Sequence, residues 1–222
     1  FRREAKLLKE LELGLASRAN CTLALAEEDR KPLGVDHPGR SIVLPLVTTQ
    51  QALTVNSARR IEFDAGLIGT WTWQPNRVGL EWFLEKVAPH LPESFSIGLA
   101  GHVPSDFGRM PPQVSLLGRV ADAKLFVNSC AVIPLVSRSG TGVQLKSIET
   151  FEAGLPSVAT MRSLRGIKTV PSNCVVANDP RAFADALVQL ASQRRSGVIT
   201  DADGASFHRQ QLFEQDRAVL LA

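Results

Sequence analysis

A lysine and a glutamate behind a glycine-containing loop are the residues of this chain best suited to chemistry. The loop contains Ser139-Gly140-Thr141-Gly142, and Lys146 and Glu149 follow on adjacent turns of a predicted helix, three residues apart. Free backbone N–H groups at such a loop, together with the helix dipole, favour a phosphate, and the lysine adds a point charge for it. The glutamate is an acceptor suited to sugar hydroxyls. The segment therefore indicates a ligand that carries both phosphate and sugar.

The elements on either side of this loop form a βαβ unit. An apolar strand over 131–136 runs into the glycine loop (residues 137–142), and a helix over 144–153 follows. Gly154-Leu155-Pro156 ends that helix, and a second apolar strand begins over 157–160. The loop thus lies at the carboxyl end of its first strand, which is the edge where open α/β sheets bind ligands.

The same alternation extends along most of the chain. Further strands are predicted at 66–71, 95–100, 114–117 and 174–177, and further helices at 76–89, 121–129 and 180–194. Asp179 and Pro180 supply an N-cap and an N1 proline for the last of these helices. Alternating strands and helices favour a parallel sheet. The predicted fold class is therefore α/β, a Rossmann-like parallel sheet with helices on both faces.

The ends of the chain depart from this pattern. Residues 1–18 predict a helix that has Leu7, Leu8, Leu11 and Leu15 on one face. A short strand over 20–26 and an acidic turn follow. Residues 34–60 are rich in Gly, Pro and Thr with one apolar strand at 42–46, which is typical of a linker. A last helix is predicted from about residue 203.

Composition narrows the class of protein. The 222 residues are 44% hydrophobic and 21% charged, which is ordinary for a globular protein. The net charge of +3 permits an anionic ligand without demanding one. No run of 18 apolar residues predicts a transmembrane helix. Cys21, Cys130 and Cys174 fit neither a zinc pattern nor a disulfide framework, so Cys130 and Cys174 are predicted to be core thiols in a reducing, cytoplasmic setting.

The stretch around the glycine loop resembles the donor-binding motif of glycosyltransferases with two Rossmann-like domains, the GT-B fold. More narrowly, it resembles the retaining glycosyltransferase group 1. The residues that carry this resemblance are Pro134-Leu135, Ser139-Gly140-Thr141-Gly142, Leu145-Lys146, Glu149, Gly154 and Pro156, with Gly69-Thr70-Trp71-Thr72-Trp73-Gln74-Pro75-Asn76, Trp82-Phe83, Pro89, Gly118-Arg119-Val120 and Arg165-Gly166 further along the chain. The likeness covers about residues 64–195.

The resemblance implies a division of the chain into four parts. Residues 1–33 would be the tail end of an N-terminal acceptor domain, and 34–60 a linker and hinge. Residues 61–200 would be the nucleotide-sugar donor-binding domain, and 201–222 a C-terminal helix. Because the chain opens on Phe1 and an acceptor domain of this family is about as large as this whole chain, we expect a fragment that holds one half of a GT-B fold and is inactive alone.

The resemblance also implies roles for individual residues. Lys146 would face the donor diphosphate and Glu149 the ribose, and these two are the expected catalytic residues. The other expected donor-binding residues are Gly69, Thr70, Arg77, Arg119, Val120, Gly140, Thr141, Gly142, Val143, Gln144 and Leu145. Arg77 would lie near the diphosphate, and Arg119 and Val120 would read the base through their backbone. Many relatives have a glutamate facing the donor sugar where this chain has Thr141, which leaves the identity of that sugar open.

Each of these assignments has a simpler alternative. Lys146 and Glu149 could form an intrahelical ion pair on a solvated face, and the glycine loop could be an ordinary strand-to-helix turn. Arg77 could lie at a solvated helix start. Three tryptophans, Trp71, Trp73 and Trp82, could stack on a base or sugar or simply pack in the core, and strand alternation would put Trp71 and Trp73 on one face. His102, after a predicted strand, is a further candidate, whereas Asp106 and Asp122 are expected to be solvated or capping.

Three functions remain open. The first is the donor-binding part of a retaining glycosyltransferase that transfers a hexosyl or related sugar from a UDP-, GDP- or ADP-type donor. It is expected to have no cofactor and no metal site, because neither an Asp-x-Asp motif nor a histidine cluster is present. Its acceptor would be a glycan, a lipid-linked molecule or a protein, with no nucleic acid partner and with peripheral membrane contact through the missing domain. The second is a non-catalytic nucleotide-sugar-binding or interaction module. The third is a dinucleotide-dependent oxidoreductase, but Leu145 stands where the third glycine of that fingerprint belongs.

Overall fold

The computed structural model describes residues 2–35, 40–48, 60–108 and 110–220. Its strands are β1 (Thr22–Ala24), β2 (Ser41–Val43), β3 (Phe63–Ile68), β4 (Ile97–Ala100), β5 (Val114–Gly118), β6 (Cys130–Leu135), β7 (Ser157–Ala159) and β8 (Cys174–Val176). Its helices are α1 (Arg2–Arg18), α2 (Gln74–Trp82), α3 (Ala123–Asn128), α4 (Leu145–Glu152), α5 (Pro180–Arg195) and α6 (Gly204–Leu220). Much of the predicted linker lies outside the described residues.

Six of the strands form one parallel sheet in the order β5-β4-β3-β6-β7-β8. The chain proceeds from β3 outward through β4 to β5, then crosses to the other side of β3 and proceeds outward through β6, β7 and β8. The direction of winding therefore reverses between β3 and β6. This is the topological switch point of a Rossmann-like sheet, and the predicted fold class is confirmed.

Helices cover both faces of this sheet. Side chains of successive strand residues point to opposite faces, so each strand contributes apolar residues to both. On one face Leu67 and Leu99 pack with Phe83 and Phe183, which come from the end of the α2 segment and from α5. On the other face the core is made of Ile133, Leu135, Ile148, Phe151 and Phe207, which belong to β6, α4 and α6. Phe151 and Phe207 meet edge to face with ring centroids 5.4 Å apart, so α6 is tied to the helix that carries Lys146.

The N-terminal segment packs against the rest of the chain close to the glycine loop. Strands β1 and β2 pair in parallel as a separate two-stranded sheet. The turn after β1 places Asp29 in an ion pair with Arg165. Gly166 next to it has a φ of +74°, and a side chain there would meet Ala26 and Val143. The four leucines predicted to share a face of α1 are 53–56% exposed among the described residues.

One prediction about the first strand of the large sheet is wrong. The strand lies at 63–68 and not at 66–71, because the chain turns at Gly69 and Thr70. Trp71 and Trp73 therefore do not share a strand face: Trp71 is buried and donates its Nε1–H to the carbonyl of Ala100 at 2.8 Å, whereas Trp73 is 63% exposed. Trp82 packs edge to face on Phe183, as expected of a core residue.

Smaller predictions have mixed outcomes. Asp122 and Asp179 cap α3 and α5 with their carboxylates, as predicted. Cys130 is buried, and that burial raises the pKa of its thiol to about 12. Cys174 is only half-buried. A 3-10 turn over Met161–Leu164 was not predicted. No helix within the described ranges is long and apolar enough to cross a membrane.

Candidate functional site

A cleft of about 720 Å³ opens at the carboxyl ends of β3 and β6. Ligand sites in proteins commonly have volumes of roughly 300–1,000 Å³, so the space suits a ligand of nucleotide-sugar size. Strands β3 and β6 form its floor, and side chains from α2, α3 and α4 form its walls. Lys146, Glu149 and Gln144 line it, together with Trp71 and Ser163. The cleft therefore coincides with the switch point of the sheet, where ligands of open α/β sheets bind.

The start of α4 presents unpaired backbone donors. Between described residues, no hydrogen bond uses the N–H groups of Gly142, Val143, Gln144, Leu145 or Lys146 as donors. Gln144 is the N-cap residue, and no side chain caps this helix. Helix starts usually satisfy these groups with a capping side chain or a ligand. The open amides, at the positive end of the helix dipole, therefore form a candidate anion-binding site.

Lys146 stands beside these amides without a carboxylate partner. Its Nζ lies 5.1 Å from the centre of the Trp71 ring. Within the described parts of the chain, no carboxylate oxygen comes within 4.0 Å of that ammonium, so the intrahelical ion pair with Glu149 does not form. Burial lowers the pKa of Lys146, and the charge of Glu149 opposes that effect. An anionic ligand would supply the missing counter-charge.

Gly69 is the residue that makes room for this ammonium. A Cβ atom at position 69 would lie 2.8 Å from Lys146 Nζ and 3.2 Å from the Trp71 ring. Gly69 has an ordinary φ, so it is the close approach of the two side chains, and not the backbone conformation, that requires glycine here. The predicted donor residue Gly69 therefore contacts Lys146.

Glu149 lies one turn further along α4, exposed at the mouth of the cleft. Burial and the negative charge of Glu152 raise the pKa of its carboxyl group, while Lys124 and Lys146 act in the opposite direction. Glu152 is itself engaged: it contacts His208 Nδ1 at 2.8 Å and accepts a hydrogen bond from Thr48. Both carboxylates line the cleft, but Glu149 is the exposed one, and its oxygens can accept from hydroxyl groups.

The structure does not bring all the predicted donor residues to the cleft. Arg77 pairs with Glu81 at 2.7 Å and with Asp106 at 2.9 Å, and its guanidinium lies over Phe107. Arg119 is exposed after β5, and Val120 packs on the second core cluster. Thr70, after β3, is exposed, and so are Thr141, Gly142 and Leu145 in or after the glycine loop, where Gly140 and Val143 are half-buried. The residues that the cleft unites are Lys146, Glu149 and Gln144, with Gly69 packed against the lysine.

Four hydroxyl residues that the sequence analysis did not select support the loop. Ser137, Ser147, Thr160 and Ser163 form one hydrogen-bonded group beneath it. Ser147, Thr160 and Ser163 are each at most 1% exposed. Their signal in the sequence is weak, since single serines and threonines in apolar stretches are common. Only the fold shows that the four lie together.

The arrangement can bind a diphosphate through charge and amide donors. Lys146 and the free N–H groups would offset the negative charge of the diphosphate. This electrostatic interaction is strongest where water is excluded. Glu149 would orient a hydroxyl-bearing neighbour of the diphosphate. Across the described ranges, no group of three or more His, Cys, Asp or Glu residues is placed to hold a metal ion.

Comparison with known proteins adds a family and a fold. Residues 62–193, more than half of the chain, match the family model described as "Glycosyl transferases group 1". No curated protein sequence matches the chain. Among solved structures, TarM matches with a TM-score of 0.66 at 15% identity over 100% of this chain, and sucrose-phosphate synthase from Thermosynechococcus elongatus with 0.60 at 16% over 97%. Anabaena HepE in complex with UDP and glucose matches with 0.58 at 13% over 91%.

These matches extend over only part of the longer proteins. The chain covers 46% of TarM, 57% of the sucrose-phosphate synthase and 64% of HepE. It therefore spans about half the length of the solved structures that it matches. At identities this low the likeness shows the fold, and what those proteins bind is a property of those proteins.

Proposed function

Since the chain belongs to the glycosyl transferases group 1 family, we propose that it is the donor-binding part of a retaining glycosyltransferase. The donor is a nucleotide-diphosphate sugar of the UDP, GDP or ADP type, and the acceptor is a glycan, a lipid-linked molecule or a protein. The observation that carries this proposal is the unpaired Lys146 ammonium beside the unpaired amides of the α4 start, at the switch point of the sheet.

The chemistry follows from those two groups. When the bond between the sugar and the diphosphate breaks, negative charge accumulates on the leaving diphosphate. Lys146 and the amides at residues 142–146 stabilise that charge, and because they are already in place, no reorganisation is needed at the moment of reaction. Glu149 accepts hydrogen bonds from the ribose hydroxyls and so fixes the nucleotide in the cleft.

UDP is the first nucleotide to test. HepE was crystallised with UDP-glucose and S. aureus TarM with UDP, and both share the fold of this chain. The base is otherwise open, because the expected base-reading residues Arg119 and Val120 act through their backbone. Thr141 keeps the donor sugar open as well, so UDP-, GDP- and ADP-sugars belong in the same screen.

Calorimetric titration with UDP, GDP, ADP and inorganic pyrophosphate tests the proposal. We expect Lys146→Ala to weaken UDP and pyrophosphate alike, by about ten- to hundredfold, since a hydrogen bond to a charged group contributes about 1.5–3 kcal/mol. Glu149→Ala should weaken UDP more than pyrophosphate, because pyrophosphate has no ribose. Lys168→Ala is the matched control: it removes an exposed lysine that pairs with Glu214 away from the cleft.

The outcomes separate the candidate functions. If the wild-type chain binds none of the nucleotides, the proposal is wrong. If Lys146→Ala and Lys168→Ala behave alike, the cleft is not the anion site. Nucleotide-sugar binding without transfer to any glycan or lipid-linked acceptor, by a protein that includes the acceptor domain, would leave a non-catalytic binding module.

A further inference from the structure

The hydroxyl group of Ser163 holds the first residue of the glycine loop in place. The Ser137 N–H donates to Ser163 Oγ at 2.9 Å, and Ser163 Oγ in turn donates to the carbonyl of Leu135 at 2.7 Å. Leu135 is the last residue of β6. One buried oxygen therefore bridges the end of the strand and the beginning of the loop, across 26 and 28 positions of sequence.

A second hydroxyl completes this anchor. Thr160 Oγ1 donates to the carbonyl of Ser137 at 2.6 Å and lies 2.9 Å from Ser163 Oγ. Each of the two hydroxyl protons can go to a backbone carbonyl or to the oxygen of the other hydroxyl group. When both protons go to the carbonyls, the N–H and the C=O of Ser137 are both satisfied, and the residue is held at two points. The loop leaves the strand in one defined direction as a result.

Ser163 is also connected to the helix that carries Lys146. Ser147 Oγ donates to the carbonyl of Ser163 at 2.6 Å. Because Ser147 directly follows Lys146, this bond fixes the first turn of α4 against the same residue that anchors the loop. The start of the glycine loop and the start of α4 are therefore both hydrogen-bonded to the same turn, Met161–Leu164.

We infer that Ser163 is a positioning residue for the diphosphate site, which rests on the proposed function of the cleft. Its hydrogen bonds do not run to Lys146 or to the open amides. They fix the position of the first residue of the loop and of the first turn of α4. A hydroxyl in this buried place is costly unless it is satisfied. The bonds that satisfy it run to the strand end and to the loop, and its carbonyl receives the bond from α4.

The test uses Ser163→Ala, with Ser157→Ala as a matched control. Ser157 is also a buried serine, at the start of β7, and its hydroxyl has no hydrogen-bond partner among the described residues. Three ligands are titrated: UDP, inorganic pyrophosphate and uridine, the last by competition NMR. Hydrogen exchange of the peptide over 136–144 is measured in parallel.

We expect Ser163→Ala to weaken UDP and pyrophosphate by five- to tenfold and to leave uridine unchanged. A merely structural serine would affect all three ligands alike. The Ser137 amide should exchange faster, because it loses its acceptor. In the Ser163→Ala, Lys146→Ala double variant the two losses should be smaller than the product of the single ones, since both act on the same diphosphate contacts. Ser157→Ala should change neither affinity nor exchange of this peptide.

Other results overturn the inference in recognisable ways. Wild-type binding of UDP with equal binding by Ser163→Ala refutes the positioning role alone, whereas no nucleotide binding by the wild type refutes the proposed function. If Ser163→Ala does not fold, Thr160→Val and Thr160→Ser take its place. The valine variant lacks the hydroxyl bond to Ser137 and should lose pyrophosphate affinity, and the serine variant keeps the bond and should retain it. Equal affinities in the two variants contradict the inference.

Discussion

Two charged side chains at opposite ends of the six-stranded sheet, Asp64 and Lys146, differ in whether they have hydrogen-bond partners within the protein. At the amino end, the Asp64 carboxylate accepts from the Ser96 N–H at 2.8 Å, from Ser96 Oγ at 2.9 Å and from Arg195 Nε at 2.6 Å. At the carboxyl end, the Lys146 ammonium has no carboxylate within 4.0 Å in the described parts of the chain, and five successive amides lack acceptors there. The Asp64 carboxylate thus has its hydrogen-bond partners without a ligand, whereas the Lys146 ammonium and the neighbouring amides have none among the described residues.

Under the proposed function, this difference separates a carboxylate that contributes to stability from a lysine that binds the ligand. Burial alone would raise the pKa of Asp64, but the hydrogen bonds from Ser96 and Arg195 lower it overall. The charged form of Asp64 is thus favoured by folding. At Lys146 burial lowers the pKa, so the charged form is disfavoured until a counter-ion arrives. A half-buried lysine that has no carboxylate partner among the described residues is a candidate ligand-binding group.

The largest expected effect sharpens this contrast at the carboxyl end. Gly69→Ala should weaken UDP binding by about tenfold, or about 1.4 kcal/mol, because the new Cβ displaces the Lys146 ammonium from 2.8 Å away. The fold should survive, since the one contact under 3.0 Å is with the far end of a flexible side chain, the Trp71 ring at 3.2 Å need shift only slightly, and Gly69 has no positive φ. Calorimetry with UDP measures the loss.

Two controls make the Gly69 result specific. Gly108→Ala adds the same methyl group where no atom lies within 4 Å, and it should leave affinity unchanged. In a chain that already contains Lys146→Ala, Gly69→Ala should have little further effect, because the side chain it displaces is gone. An additive tenfold loss in that double variant would show that Gly69 acts through something other than the lysine.

The second effect is a dependence of nucleotide affinity on pH. Because the pKa of Lys146 is lowered by burial, its ammonium loses the proton below the ordinary lysine value of about 10.4. UDP affinity should fall as pH rises through that lowered pKa, by up to tenfold. Titrations between pH 7 and pH 10 with the wild type and Lys146→Ala test this. A flat wild-type profile, or an equal fall in the variant, contradicts it.

How far the sequence could predict this site depends on the kind of contact. The βαβ unit, the parallel sheet and the position of Lys146 beside a strand end follow from local patterns, namely apolar runs, the glycine loop and the Gly154-Leu155-Pro156 stop. These signals lie within about 30 residues, where propensity and spacing decide the structure. The strand boundary at Ile68 was misplaced because the large apolar Trp71 follows so closely after Gly69 and Thr70, although it is buried as part of a turn.

Contacts across long stretches of sequence were beyond such patterns. Asp106 pairs with Arg77 across 29 positions, and Arg195 with Asp64 across 131. Although the pair of Arg77 with Glu81 four positions on has a local signal, neither of these two pairs does. The same is true of Ser163, whose partners lie 16 to 28 positions away. Side-chain pairing of this sort depends on how the strands are ordered in the sheet.

The third prediction tests the amino end. Asp64→Asn should lower the free energy of unfolding by about 1 kcal/mol, discounted because the Arg195 side chain is partly exposed. UDP affinity should stay the same. Since the pKa of Asp64 is lowered in the folded state, its contribution is present at neutral pH and is lost as pH falls through that lowered pKa. Urea unfolding at pH 7 and at about pH 3 measures both. A large loss of UDP affinity would break the contrast between the two ends.

The smallest expected effect is at the carboxyl end. At Glu149 a single substitution should increase stability and weaken ligand binding. Glu149→Gln should raise the free energy of unfolding by a few tenths of a kcal/mol, because it removes a partly desolvated charge that lies one turn from Glu152. Water screens this exposed side chain, so a larger gain is not expected. The same change should weaken UDP binding, since a neutral amide accepts less strongly from ribose hydroxyls.

The pH dependence fixes the sign of this last effect. The pKa of Glu149 is raised in the folded state, so the folded protein holds this proton to higher pH than the unfolded chain does. The destabilisation is therefore present above the raised pKa and disappears below the ordinary glutamate value of about 4.3. Urea unfolding should show Glu149→Gln more stable than the wild type at pH 7 and equal to it near pH 4. Glu85→Gln, at an exposed position away from the cleft, is the control. A Glu149→Gln variant that is less stable at pH 7 would show that this carboxylate supports the fold, as Asp64 does at the other end.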